Sequence, residues 1–127
     1  MRVPIAHGLT YPNRIRSGVP PLDLVAIGQF DFEAPDTDRF PCLDLARVAM
    51  REGGSAPAVL NAANEVAVEW FLGGMIRFCD IPSLIDAVLS GHDNTSLTEL
   101  AQVLEVDQEA RAAARKILAK GLHQIGA

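Results

Sequence analysis

Apolar residues recur at helical spacing through the second part of the chain, from about residue 41 onward. Three segments repeat apolar positions every three or four residues and end at glycine, namely 41–52, 55–72 and 80–91. Pro41 suits a first helical turn, while Ser55 and Asp80 suit the N-caps of the two helices that follow. The pattern predicts three amphipathic helices, and the second, with the broadest apolar stripe, is expected at the centre of the core.

The end of the chain continues the helical pattern. We expect a short helix at 97–106 and a longer one at 107–120, with Asp107 as the N-cap between them. Glu109 lies early in the longer segment and Lys120 lies late, which suits the helix dipole. The chain from residue 41 to 127 therefore predicts a mostly α fold, a small antiparallel bundle of four to five helices.

The first forty residues have a different pattern. Six of the eight prolines lie before residue 42, and proline disfavours helix interiors and pushes the preceding residue toward extended conformations. Within residues 22–32, Phe30 and Phe32 alternate with polar residues, which predicts one strand, followed by a turn at 34–36. We expect residues 1–40 to form an extended, proline-rich segment with this strand, and residues 41–127 to form a separate helical domain.

Charge and cysteine content argue against several classes of partner and site. The net charge of -5 and the pI near 5.0 disfavour nucleic acid as a partner, because phosphate backbones bind clustered Lys and Arg. No apolar run is long enough to cross a membrane. Cys42 and Cys79 lie far apart with no ligand-spaced partner, so we expect two buried thiols in a reducing, cytoplasmic compartment.

Sequence motifs for a nucleotide, a catalytic metal or a serine nucleophile are absent. The densest acidic group invites comparison with a calcium loop, but it lacks the required glycine and contains Pro35, which favours a solvated turn. The group consists of Asp31, Glu33, Asp36 and Asp38.

Polar residues on the expected central helix form a second candidate. Asn64 lies on the apolar face near Asn61 and Glu65, where a buried amide needs hydrogen-bond partners. A ligand contact is one interpretation. We favour a structural one, in which all three bond the backbone of the proline-rich segment.

Basic residues of the first segment are weaker candidates. His7 has no nucleophile or carboxylate near it in sequence, so it is no evidence of catalysis. Three arginines offer planar forks of donors for a phosphate, although pairing with Asp36, Asp38 or Glu65 is the commoner use of such residues. They are Arg2, Arg14 and Arg16.

Three long stretches resemble one family, the 1-deoxy-D-xylulose 5-phosphate reductoisomerases. They are residues 1–14 (MRVPIAHGLTYPNR), 32–46 (FEAPDTDRFPCLDLA) and 60–68 (LNAANEVAV), followed by Phe71, Ile76, Phe78 and Asp80-Ile81. The match is to the last third of that enzyme and covers essentially the whole chain. The resemblance implies a detached C-terminal piece of a homodimeric enzyme of isoprenoid biosynthesis.

The family converts 1-deoxy-D-xylulose 5-phosphate to 2-C-methyl-D-erythritol 4-phosphate with NADPH and Mg²⁺ or Mn²⁺. Its cofactor loop and metal carboxylates match nothing in this chain, so the resemblance implies no catalytic, cofactor or metal residue here. Met1 alone matches a residue on the wall of the substrate pocket. We therefore expect a chain that is inactive without the missing N-terminal and catalytic domains; the alternative is a non-enzymatic helical module that docks on, or stabilises, a dimer.

Overall fold

The computed structural model describes residues 1–121. They divide into two compact units, Met1–Ala34 and a second unit that begins at Pro35. Within residues 1–121 there are six α-helices and no strand. No helix in this range is long and apolar enough to cross a membrane. The predicted mostly α fold with a small helical bundle is confirmed, whereas the assignment of residues 1–40 and 41–127 to separate domains stays a prediction.

The first unit contains α1 (Arg2–Thr10) and α2 (Leu24–Ile27), and neither helix has a buried residue. The expectation of an extended chain at its beginning was wrong, because α1 is helical despite its proline. Pro4 lies in the first turn, where the missing N–H removes no helical hydrogen bond. The Thr10 hydroxyl donates to the carbonyl of Ala6 at 2.8 Å and supports the last turn.

The strand predicted at 22–32 was also wrong. The Asp23 carboxylate accepts hydrogen bonds from the N–H groups of Val25 and Ala26, both at 3.0 Å, and so caps α2. Gly28 ends that helix at φ 74°, a conformation that glycine adopts without strain. Alternation alone does not make a strand, because a strand also needs a neighbour to pair with its backbone.

The second unit contains α3 (Cys42–Glu52), α4 (Ala56–Leu72), α5 (Asp80–Ser90) and α6 (Leu100–Lys120). Helix α4 contacts the other three, and α5 also contacts α3 and α6. The first three helices begin and end within a residue or so of the predicted positions. The two helices predicted at 97–106 and 107–120 are instead the single helix α6.

Helix α6 is continuous because nothing interrupts it at residue 107. Asp107 caps no helix there, since its carboxylate binds the Arg111 guanidinium one turn later at 2.7 Å. The helix start lies earlier, where the Gln102 side chain accepts from the N–H of Glu99 at 3.1 Å.

The core forms around an alanine-rich face of α4. Ala62, Ala63 and Ala67 have no exposed surface, and neither do Val59 and Val66 on the same helix. Small side chains at these positions let α5 and α6 approach the α4 backbone closely. The larger core residues come from the neighbouring helices: Ile81, Leu84, Ile85 and Val88 of α5, with Val106 and Leu118 of α6.

Candidate functional site

An apolar groove of about 780 Å³ lies on the helical unit, with walls from α3, α4, α5 and the loops that precede α3 and α5. Phe40 and Phe78 stand at its edges and are 55% and 66% exposed. The Phe78 ring meets Phe71 edge to face, 5.6 Å between centroids. Three aspartates and one arginine also line the groove: Asp38, Asp44, Asp86 and Arg39.

Both cysteines line this groove, and both are exposed. The expectation of buried thiols was therefore wrong. Cys42 is the first residue of α3, and Cys79 directly precedes α5. Cysteine is among the residue types most often buried, so an inference from residue type alone failed at these two positions.

A polar cluster around one buried serine joins the α3–α4 loop to the loop between α5 and α6. Ser55 is fully buried; its hydroxyl lies 3.0 Å from Asn94 Oδ1 and 2.7 Å from His92 Nε2. The Thr95 N–H donates to the same hydroxyl oxygen at 3.0 Å. Because Asn94 Oδ1 only accepts, the Ser55 hydroxyl donates to it and accepts from Thr95 and from His92 Nε2–H.

The Ser55 and His92 pair has the spacing of a nucleophile and its general base, but it is not arranged for catalysis. The hydroxyl proton is directed to Asn94 rather than to the histidine, and Ser55 is inaccessible to a substrate. Sequence reasoning assigned Ser55 only a helix cap and 92–95 only a loop. Their separation of 37 to 40 residues gave no signal.

Of the three polar residues predicted on α4, Glu65 contacts α6 and Asn61 contacts Glu65. Arg111 lies 2.6 Å from Glu65 and 2.7 Å from Asp107, while the Asn61 amide donates to Glu65 at 3.2 Å. Hydrogen bonds from Arg111 lower the pKa of both carboxyl groups. Asn64 is half-buried in the wall of the groove. The predicted contacts of the three residues with the proline-rich segment stay a prediction.

The acidic turn and the first unit hold the other candidates. Asp36 accepts from the N–H of Arg39 at 2.9 Å, and Asp31 accepts from the Gln29 amide at 2.7 Å. These are local turn contacts. Across residues 1–121, no group of three or more His, Cys, Asp or Glu side chains is arranged to hold a metal ion.

In the first unit, His7 and Arg14 line a small cleft of about 390 Å³ with Val3, Ile15 and Ser17. Arg2 and Arg16 are exposed. Met1, the expected wall of a substrate pocket, is 90% exposed beside the start of α1. The cleft thus brings His7 together with one of the three arginines, Arg14. Phosphate binding by the arginines stays a prediction.

Comparisons with known proteins agree on one family. The family model of the DXP reductoisomerase C-terminal domain matches residues 1–113. The 1-deoxy-D-xylulose 5-phosphate reductoisomerase of Methylobacillus flagellatus is 61% identical over 112 residues, which cover 88% of this chain and 28% of that enzyme. The enzyme of Ectopseudomonas mendocina is 58% identical over 120 residues, or 94% of this chain and 30% of its own length.

Solved structures show the same relationship. The Zymomonas mobilis reductoisomerase in complex with NADPH superposes with a TM-score of 0.80 at 40% identity, over 91% of this chain and 31% of that one. A reductoisomerase in complex with NADPH, fosmidomycin and magnesium gives 0.74 at 41% identity, over 93% and 31%. The chain therefore spans less than a third of the length of the relatives it matches.

Proposed function

Because the chain belongs to the DXP reductoisomerase C-terminal domain family, we propose that it acts as the helical C-terminal domain of a 1-deoxy-D-xylulose 5-phosphate reductoisomerase. The observation that carries this proposal is the match to the family model over residues 1–113, with 28% of the M. flagellatus enzyme covered. In that assembly the reaction is the conversion to 2-C-methyl-D-erythritol 4-phosphate in isoprenoid biosynthesis.

The NADPH and the Mg²⁺ or Mn²⁺ of this reaction do not fit the residues described. No strand followed by a glycine-rich loop occurs in residues 1–121, and no three or more His, Cys, Asp or Glu side chains there are arranged to hold a metal. We place the binding of NADPH and of the divalent cation in the rest of the enzyme, and we expect the chain alone to be inactive.

The chain's proposed contribution is a docking surface and one pocket residue. Large apolar side chains in the first unit are exposed, among them Leu9 at 82%, Val25 at 92% and Phe32 at 88%. Exposed apolar side chains of this size suit a surface that another protein covers. We place Met1 on the wall of the substrate pocket after docking, with the assembled enzyme a cytoplasmic homodimer that binds neither nucleic acid nor membrane.

Trans-complementation tests the proposal. The chain is mixed with the part of the M. flagellatus reductoisomerase that it does not match, and NADPH oxidation is followed with Mn²⁺ and 1-deoxy-D-xylulose 5-phosphate. We expect turnover from the mixture and none from either part alone. Met1→Ala should lower the activity of the mixture without changing complex formation. Met50→Ala, the same change at another exposed methionine, serves as its control and should leave both unchanged.

A binding module without catalytic consequence is the second candidate, favoured by the same exposed apolar residues. It predicts a complex whose mixture stays inactive. Turnover by the chain alone contradicts both candidates, because each leaves the cofactor and metal outside this chain.

A further inference from the structure

We propose that the groove between α3, α4 and α5 is the surface on which the helical unit receives a segment from the rest of the reductoisomerase, one with apolar side chains flanked by basic ones. The inference rests on the proposed function and makes it specific, because it names the face through which the helical unit is held.

The apolar part of the groove is exposed to solvent in this chain. Leu45 and Val68 form part of its wall, and Phe40, Val48 and Phe78 extend that wall to solvent with 55%, 37% and 66% of their surfaces exposed. A volume of about 780 Å³ lies within the range of pockets that enclose a ligand or a few inserted side chains. Covering these side chains removes apolar surface from water, which favours association.

The polar rim of the groove indicates the charge of its occupant. Asp38, Asp44 and Asp86 oppose one basic residue, Arg39, whose guanidinium lies over the Phe40 ring at 5.6 Å. Asp44 is already paired with Arg47 at 3.1 Å. Asp38 lies in the loop before α3, whereas Asp86 lies in α5. The rim therefore complements Lys or Arg on a partner and disfavours an acidic one.

The source of the occupant follows from which stretches build the groove. Phe40 and Leu45 belong to the stretch 32–46, Asn64 and Val68 to the stretch 60–68, and Phe78 to the residues after it. These are the stretches in which the chain resembles the reductoisomerases, and the fold brings them to one face. The proposed function supplies the remainder of the enzyme as the partner, since the match with this chain covers only 28% of the M. flagellatus relative.

The two cysteines provide a built-in test, because the chain has no others and both line the groove. Iodoacetamide labelling of Cys42 and Cys79 is measured by mass spectrometry on the full chain, with and without the unmatched part of the M. flagellatus enzyme. At roughly ten times the dissociation constant of that part, we expect labelling of both thiols to slow about tenfold. A control chain carries Cys42→Ser, Cys79→Ser and Gln108→Cys, which places one thiol on exposed α6; its labelling should not change.

A charge reversal gives an independent measurement. Asp86→Lys in the groove should weaken the complex about tenfold, while Glu105→Lys, the same change at an exposed position of α6 outside the groove, should leave it unaltered. Both variants change surface residues only, so unfolding is not expected to interfere; circular dichroism checks this.

Three outcomes overturn the inference in distinguishable ways. An active complex in which both thiols react at the free rate and Asp86→Lys binds normally refutes the groove and leaves the proposed function intact. Absence of any complex and of activity refutes the proposed function and the inference with it. Thiol protection in the chain alone, accompanied by a dimer in sedimentation, shows that a second copy occupies the groove.

Discussion

Replacing Ser55 with alanine removes the hydroxyl that joins the α3–α4 loop to the loop between α5 and α6. Its three side-chain hydrogen bonds, to His92, Asn94 and Thr95, set an upper limit of about 3 kcal/mol at about 1 kcal/mol each. Water can satisfy part of the loss, since Asn94 and Thr95 are exposed and His92 is half-buried. We therefore expect Ser55→Ala to lower the free energy of unfolding by about 2 kcal/mol.

Urea unfolding of the helical signal measures this change, with Ser90→Ala as the matched control. Ser90 is the exposed last residue of α5, so its replacement should shift stability by less than about 0.5 kcal/mol. Asn94→Ala should lose stability comparably, and the double variant with Ser55→Ala should lose less than the sum, because both changes remove one shared contact. Equal stability of Ser55→Ala and Ser90→Ala would show that the hydrogen bonds of Ser55 do not stabilise the fold by joining the two loops.

Two further changes probe the packing and charge of the same unit. Leu84→Ala, at a position with no exposed surface, should lower the free energy of unfolding by about 2–5 kcal/mol in the same urea experiment. Leu104→Ala, at a position that is 55% exposed, should lower it far less. Equal losses would contradict the assigned core. Arg111 lowers the pKa of Glu65 and of Asp107 below the ordinary values of 4.5 and 3.8, so the stability they contribute is complete above about pH 4.5 and is lost as pH falls through the lowered values. Arg111→Gln should thus reduce stability at neutral pH and flatten its decline in acid, and an unchanged acid profile would show that the network does not stabilise the fold.

Helix ends in the second unit were predictable because each is marked locally. Gly53 and Gly73 end α3 and α4, while Ser55 precedes the latter, so the pattern of apolar residues had clear limits. The resemblance to the reductoisomerases was equally legible, since it depends on long contiguous stretches. Such features need no knowledge of what lies across the fold.

The remaining features depend on contacts that a linear pattern does not contain. Phe30 and Phe32 alternate as in a strand, yet the local cap from Asp23 decides the conformation before them. Asp107 resembles a helix cap in the sequence, but in the structure its carboxylate binds the Arg111 guanidinium. Ser55 and His92 meet only because two loops are brought together by helices that pack elsewhere, so no spacing rule indicates the pair.

The groove combines a feature that was legible in the sequence with one that depends on contacts across the fold. Its residues lie in the stretches that carried the resemblance, so sequence identified them as belonging together by family. Their meeting on one face of the helical unit required the packing of α3, α4 and α5. Burial of the thiols was misjudged for the same reason, because exposure depends on position in the fold as well as on residue type.

The alanine face of α4 constrains how this domain can vary over evolutionary time. With Ala62, Ala63 and Ala67 completely enclosed, any larger residue must push α5 or α6 outward, at a cost of about 1–3 kcal/mol for each overpacked site. The facing leucines and isoleucines can be exchanged among themselves more cheaply. A saturation scan should therefore find these alanines the least permissive sites of the chain, and sequence drift should reach the partner helices first.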